Sequence, residues 1–331
     1  MDYLECPKCM ASLVDLRCIR CNHLFESTLG IPDLRWPKPV SSDREKKLIE
    51  NMVRRFDDSS LEELMAIKFQ GDETPADLKD HYRNYRKQAY DRGHKMISMF
   101  DELVTMLFAD PERTLALDVG CGSGASCSAL SSRYNQVIGL DPFLPDLLLA
   151  KKLFQQEGIR NVTLIQAYGQ KMPLPAEKID FSIGLNLIEH LPDVPGTLSE
   201  INRVVKSGGY FCADSRNRFD LFFLEPHSNI RWVGFLPRSL QSLYVQFRKG
   251  IPYKGIRLLS LFELHKLATF AFGDSYRITF PHASTYGQSA KWDKLIRLID
   301  SISILRFLAL PVFPSHALIA QANHPHVKRN T

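Results

Sequence analysis

Cys6, Cys9, Cys18 and Cys21 form two Cys-x-x-Cys pairs in "CPKCMASLVDLRCIRC", and they are four of the seven cysteines in 331 residues. Each pair can grip one edge of a tetrahedron, so together they offer the all-thiolate shell of a zinc ion. Four sulfurs leave no coordination position for water, which makes such an ion structural rather than catalytic. A thioredoxin-type redox role needs a strand-to-helix setting, and neither pair is followed by one. His23, two residues past Cys21, is a rival ligand that four cysteines make unnecessary. The start "MDYLECPKCM" lacks the basic n-region and apolar core of a secretory signal, so the thiols are expected in a reducing cytoplasm, where metal binding is favoured over disulfides.

A second set of residues lies in "TLALDVGCGSGASCSALSSRY", from Thr114. Gly120, Gly122 and Gly124 let a backbone approach a ligand closely, and the helix expected after them offers free N–H groups. Dinucleotide-binding folds share that spacing, so its neighbours must decide the ligand. Asp141 ends the strand-like "QVIGLD", where its carboxylate could accept both hydroxyls of a ribose. Cys121 and Cys127, in or beside the glycine turn, read as small packing residues. Three histidines could take a proton: His190 in "LIEHLPD", His227 in "EPH" and His282 after "YRITF". Each could equally be an ordinary hydrogen-bonded histidine.

Those residues need a scaffold. The composition, 44% hydrophobic and 24% charged, is that of a globular chain rather than a disordered or fibrous one. After the proline-marked exit "WPKPV", the segment "SSDREKKLIENMVRRF" places acids early and bases late, as a helix prefers. Ser59-x-x-Glu62 and Thr74-x-x-Asp77 each look like a capping box. From Leu115 onward, apolar strand-like runs alternate with helical ones, which predicts an α/β fold with a doubly wound parallel sheet and ligands at the carboxyl ends of its strands. "SYRITF" and "SHALIAQA" are expected as its last two strands, an antiparallel pair, with "SAKWDKLIRLIDSISILRFLAL" as a helix between them. The apolar stretch Ile302 to Ala320 is interrupted by Arg306, Pro311, Pro314 and His316, so no membrane span is expected, though peripheral contact stays open.

The pieces "LDVGCGSG", "VIGLD", "MPLP", "LIEHLPD" and "EINRVVKSGGYF" resemble, in that order, the class I S-adenosylmethionine-dependent methyltransferases of the UbiE-like or type 11 group, from Leu115 to about Asp214. A nicotinamide dehydrogenase is not expected to carry "LIEHLPD". The resemblance implies the seven-stranded Rossmann-like methyltransferase sheet and S-adenosylmethionine as cofactor. It places Gly120, Cys121, Gly122 and Gly124 along the methionine part, Asp141 on the ribose, and Tyr168 and Gly169 beside the adenine, with Asp118, Pro142 and Asn186 completing the set. Tyr168 departs from the aspartate commoner in that group; a tyrosine could stack or donate instead. The first module, Cys6 to Leu34 with its closing "GIPDL", is similar to the zinc ribbons of the tRNA-methyltransferase activator family, which steady a methyltransferase as partner or fusion. A helix from about Pro75 carries Tyr82, Tyr85 and Tyr90 among arginines and a lysine; it reads as packing with a solvated basic face, or as a cover over the cofactor's amino-acid end.

The expected organisation is a zinc ribbon over 1–40, a helical segment over 41–110 and the catalytic domain over 111–331, with a substrate lid inserted at 216–258. The lid holds eight arginines or lysines against Asp220 and Glu225, a surplus of six in a chain whose net charge is +5. Its interleaved aromatics include Phe222, Phe223, Trp232 and Phe247. One reading is an amphipathic cover with its apolar residues packed inward and its bases in water. The other is a pocket for an anionic, partly apolar acceptor: a small molecule or a glycan- or lipid-linked one, methylated by in-line displacement. RNA is the rival acceptor, because a zinc module also precedes the catalytic domain of rRNA guanine methyltransferases, although this ribbon is not strongly basic. A third reading is a scaffold that binds the cofactor without catalysis, its ribbon docking a protein partner.

Overall fold

The computed structural model describes residues 3–69, 91, 93, 94, 97, 100, 115–281 and 290–324. The chain divides into two compact units: residues 1–183 with 203–206, and residues 184–202 with 207–331. The box at Thr74, the tyrosine-bearing helix and His282 lie outside the described residues.

The first unit opens with two small hairpins, β1 (Leu13–Val14) with β2 (Arg17–Cys18) and β3 (Ser27–Thr28) with β4 (Ile31–Pro32). Helix α1 (Asp43–Arg55) starts at Ser42, whose side chain accepts from the Glu45 N–H, and its first and last turns carry the expected acids and bases. Helix α2 (Leu61–Phe69) is capped one residue later than the sequence spacing predicts: the reciprocal box is Ser60 with Glu63, not Ser59 with Glu62. The reason is burial. The Ser59 hydroxyl is packed inside without a partner among the described residues, whereas Ser60 is exposed and free to turn onto the helix end.

Next come β5 (Leu115–Val119), α3 (Ala125–Ser131), β6 (Gln136–Asp141), α4 (Leu144–Gln156), β7 (Val162–Gln166) and β8 (Ile179–Gly184). β5 is buried at all five positions and lies parallel to both β6 and β8, which is why "LALDV" is apolar without alternation. α1 and α2 pack on α4, where the Lys68 ammonium meets Asp146 at 2.6 Å and Lys152 donates to the Phe56 carbonyl at 2.8 Å.

β7 is an edge strand, and an open edge invites unwanted pairing. The segment leaving β4 covers it: Asp33 bridges Gln166 in parallel, and the Leu34 N–H donates to the Gln166 carbonyl at 2.8 Å. The Glu5 N–H donates to the Pro173 carbonyl at 3.0 Å. The cysteine module is thereby fastened to the edge of the sheet.

After α5 (Val194–Val204) the chain enters β9 (Val205–Arg216), with Gly208 and Gly209 inside the strand. Gly208 takes φ +80°, and its N–H donates to the Ala322 carbonyl. The second unit continues with α6 (Arg238–Lys249), α7 (Leu261–Phe272), β10 (Tyr276–Thr279), α8 (Ala290–Ser301), α9 (Ser303–Ala309) and β11 (Ser315–Gln321). The single helix expected before β11 is broken at Ile302, whose extended backbone starts α9. β11 runs antiparallel to both β9 and β10. The sheet has seven strands in the order β10-β11-β9-β8-β5-β6-β7, the doubly wound architecture with an antiparallel last pair. Among the described residues no helix is long and apolar enough to cross a membrane.

In the lid segment Ile230, Val233, Val245 and Tyr253 form a buried cluster, with Tyr244, Ile251 and Ile256 packed against it. Phe222, Trp232 and Phe247 are 55%, 57% and 87% exposed, so the reading that its aromatics turn inward fails for these three.

Candidate cofactor site and histidine cluster

In the first unit, β5 delivers Asp118 and then Gly120, Gly122 and Gly124, all three at positive φ (+72°, +49° and +85°) that only glycine adopts freely. A side chain at Gly124 would meet Phe154 Cζ at 2.7 Å and Ala150 Cβ at 2.9 Å, so this glycine lets the loop close against α4. A side chain at Gly122 would meet nothing within 4 Å: here the loop faces open space. The loop's N–H groups are not the free donors the sequence suggests. Those of Gly120 and Cys121 donate to Leu140, that of Gly124 to Cys121, and that of Gly122 to Asp141 Oδ2 at 3.0 Å.

Asp141 also accepts the Phe143 N–H on Oδ1 at 2.8 Å. One bond to each oxygen leaves lone pairs for further donors. Burial, with Asp146 nearby, pushes its carboxyl up to about 6 against those two bonds and Lys68. Asp118 is buried, its carboxyl pushed up to about 7 by burial although Cys127 Sγ donates to Oδ2 at 3.3 Å. Its Oδ1 has no partner among the described residues. Cys121 and Cys127 pack where a Cβ on Gly139 would stand, 3.0 and 2.8 Å from their sulfurs, and burial raises both thiols. They are filling, not nucleophiles.

Two residues of this site were not legible in advance. Arg35 grips Asp33 with two hydrogen bonds of 2.8 Å and donates to the Pro142 carbonyl at 3.3 Å, which Gln166 Nε2 also reaches at 3.0 Å. Tyr168 lies within the field of that same Arg35. The signal was "GIPDLR" itself, whose alternation fits a strand on a sheet edge. The open glycine loop, the orphaned Asp118 oxygen and the Asp141 carboxylate suit a cofactor carrying a ribose and an amino-acid end.

In the N-terminal module the sulfurs of Cys6 and Cys21 are 3.7 Å apart and those of Cys9 and Cys18 3.4 Å, with all four within 4.8 Å of one another. Zinc–sulfur bonds of about 2.3 Å at tetrahedral angles require sulfurs about 3.8 Å apart, so the donor set fits such an ion. The N–H groups of Arg20 and Cys21 both point at Cys18 Sγ.

The second unit holds Asn186 and two of the three candidate histidines. Asn186 sits at φ +49°, held by its N–H to Asp214 Oδ1 at 2.7 Å. His190 closes a single tight turn, Ile188–His190. Its Nε2 lies 3.2 Å from His227 Nε2, the rings edge to face. His227 Nδ1 is 2.5 Å from Glu225 Oε1, and the Glu225 carboxylate also accepts the N–H groups of His227 and Ser228. Burial opposes ionisation of Glu225, but the bonds from His227 outweigh it and hold the carboxyl below its ordinary value. Glu189 is buried beside this pair. Burial, then Asp214, pushes it up to about 7.

Residues 117–213 match the family model described as "Methyltransferase domain". This segment is a class I methyltransferase domain.

Relatives of the methyltransferase domain include a ubiquinone biosynthesis O-methyltransferase of Bradyrhizobium sp. (strain ORS 278), 30% identical over 127 residues, covering 37% of this chain and 48% of that protein. An uncharacterized methyltransferase, YcgJ of Bacillus subtilis (strain 168), is 30% identical over 95 residues, covering 29% and 38%. The chain thus spans about half, or less, of the length of these curated relatives. The crystal structure of the Bacillus YcgJ protein aligns with 67% of this chain and 98% of its own, at 18% identity and a TM-score of 0.42.

In the first unit Asp118, Gly120, Cys121, Gly122, Gly124, Asp141 and Pro142 lie along the carboxyl ends of β5 and β6, with Tyr168 and Gly169 just past β7. Asn186, His190 and His227 belong to the second unit.

Proposed function

We propose that this chain is an S-adenosylmethionine-dependent methyltransferase acting on a small-molecule or glycan- or lipid-linked acceptor, with a structural zinc ion in its cysteine module. The observation that carries the reading is the Gly122–Asp141 pair inside a methyltransferase domain: one carboxylate braces the open glycine loop and keeps lone pairs for ribose hydroxyls. When bound, the cofactor supplies an electrophilic methyl carbon on a sulfonium. The protein's part is then to orient, exclude water and dispose of a proton. Gly122 gives the backbone approach, Asp141 holds the ribose, and Tyr168 packs toward the adenine. For a hydroxyl acceptor, the imidazole pair of His190 and His227 is the proton acceptor, with Glu225 fixing the tautomer of His227.

The basic lid supports an anionic acceptor, though less strongly than its raw charge suggests. Arg218 and Arg231 donate to lid carbonyls, and Arg238 pairs with Glu263. The exposed Phe222, Trp232 and Phe247 offer apolar contact beside the remaining bases.

Isothermal titration with S-adenosylmethionine tests the first step, and no binding would sink the reading. Untargeted comparison of metabolites and of RNA from cells with and without the protein tests the second. A metabolite lighter by one methyl group in the deletion supports it, and a missing RNA mark would replace it with an RNA acceptor.

A further inference from the structure

We propose that Glu189, His190 and His227 form a second metal site, for a divalent transition-metal ion, distinct from the four-cysteine module. The inference deepens the acceptor-side reading, but the site itself stands without it.

The geometry starts from Glu225. Its carboxylate takes two backbone N–H groups and sits against His227 Nδ1, so that nitrogen carries the proton and the Nε2 lone pair points the other way. A carboxylate fixing the far nitrogen of an imidazole is the usual outer support of a histidine metal ligand. That Nε2 atom faces His190 Nε2 at 3.2 Å. Two imidazole ligands at about 2.05 Å from a tetrahedral ion stand about 3.3 Å apart, so the observed spacing is that of one edge of a coordination shell.

Glu189 supplies the third corner. One of its carboxylate oxygens lies within 4.8 Å of both imidazole nitrogens. The residue is 2% exposed, and its Oε2 has no hydrogen-bond partner among the described residues. An orphaned carboxylate oxygen is costly inside a protein, and a cation offsets that cost directly. The Glu189 carbonyl is tied to the Arg257 N–H at 2.8 Å, which fixes the turn carrying both Glu189 and His190. Two imidazoles and a carboxylate select zinc, cobalt, nickel or iron over magnesium or calcium, and three protein ligands leave a position open for an oxygen of the acceptor. An acceptor hydroxyl held there would give up its proton to water more readily, so in the loaded chain the ion would take over from the free imidazole pair the task of activating the acceptor.

The test uses the full chain with its cysteine module loaded with zinc, titrated with Co2+. Calorimetry should find one further Co2+ per chain. X-ray absorption of the wild-type complex should show imidazole and oxygen neighbours and no sulfur. His227→Ala should abolish this binding while the module's zinc is retained, and Glu225→Gln should weaken it about 10- to 100-fold. Absence of Co2+ binding by the wild type, a sulfur in the cobalt shell, or unchanged binding in a folded His227→Ala chain would each overturn the proposal. Cofactor titration is read separately, so a chain that binds S-adenosylmethionine but no Co2+ loses only the metal site.

Discussion

The Leu34 N–H donates to the Gln166 carbonyl over 2.8 Å, and this bond joins the cysteine module to β7, an edge strand of the methyltransferase sheet. Two residues before the bond, β4 ends; one residue after it, Arg35 reaches the Pro142 carbonyl next to Asp141. Backbone and guanidinium contacts therefore run from the module to the loop that bears Asp141.

Stripping the metal should expose that coupling. Metal analysis of the purified chain is expected to give at least one zinc, held by Cys6, Cys9, Cys18 and Cys21. Cys9→Ser should lose it and weaken S-adenosylmethionine binding about tenfold, or about 1.4 kcal/mol, as the β4 exit frays from Gln166. Arg35→Ala should reproduce part of the loss while keeping the metal. Calorimetry on the two variants checks this, and full affinity in a zinc-free Cys9→Ser chain would refute it.

The ribose role proposed for Asp141 would make cofactor binding depend on pH. Ribose hydroxyls donate to an ionised carboxylate, and this carboxyl titrates near 6 in the folded chain because burial and Asp146 disfavour its charge. Affinity should hold at neutral pH and fall as pH drops through about 6. Stability runs the other way. A carboxyl raised from its unfolded value of about 3.9 stabilises the fold fully below that value and loses the contribution as pH rises through 6. Asp141→Asn should bind the cofactor poorly and show a flatter pH profile in both measurements. Binding titrations and thermal melts between pH 5 and 8 decide it.

The parallel core was legible because β5 and β6 announce themselves: unbroken apolar runs end on Asp118 and Asp141, with glycines directly after the first. The antiparallel pair was legible for a similar reason, since "SYRITF" and "SHALIAQA" have strand composition and sit at the chain's end. What the sequence hid were relations between distant residues. Nothing local to Arg35 shows that it holds Pro142, 107 positions away. Nor does "EPH" reveal that His227 meets His190, because that depends on where two loops cross. The Ser60 cap was missed by one residue because both serines offer the same chemistry, and only burial separates them.

Gly122 and Gly124 should fail differently when each is replaced by alanine, although both lie at positive φ two residues apart. At Gly124 a methyl group would stand 2.7 Å from Phe154 and 2.9 Å from Ala150, so loop and helix must separate. Left-handed strain of about 1 kcal/mol and overpacking of about 1–3 kcal/mol add to a loss of about 2–4 kcal/mol in stability. At Gly122 the methyl group meets nothing, so only the strain remains and the chain stays folded with a loss of about 1 kcal/mol. That same methyl occupies the space through which a cofactor approaches the backbone, so Gly122→Ala should lose S-adenosylmethionine binding out of proportion to its stability. Denaturant unfolding and calorimetry on the pair separate the two effects. Equal destabilisation of both variants, or normal cofactor affinity in Gly122→Ala, would show that the open side of this loop is not where the cofactor lies.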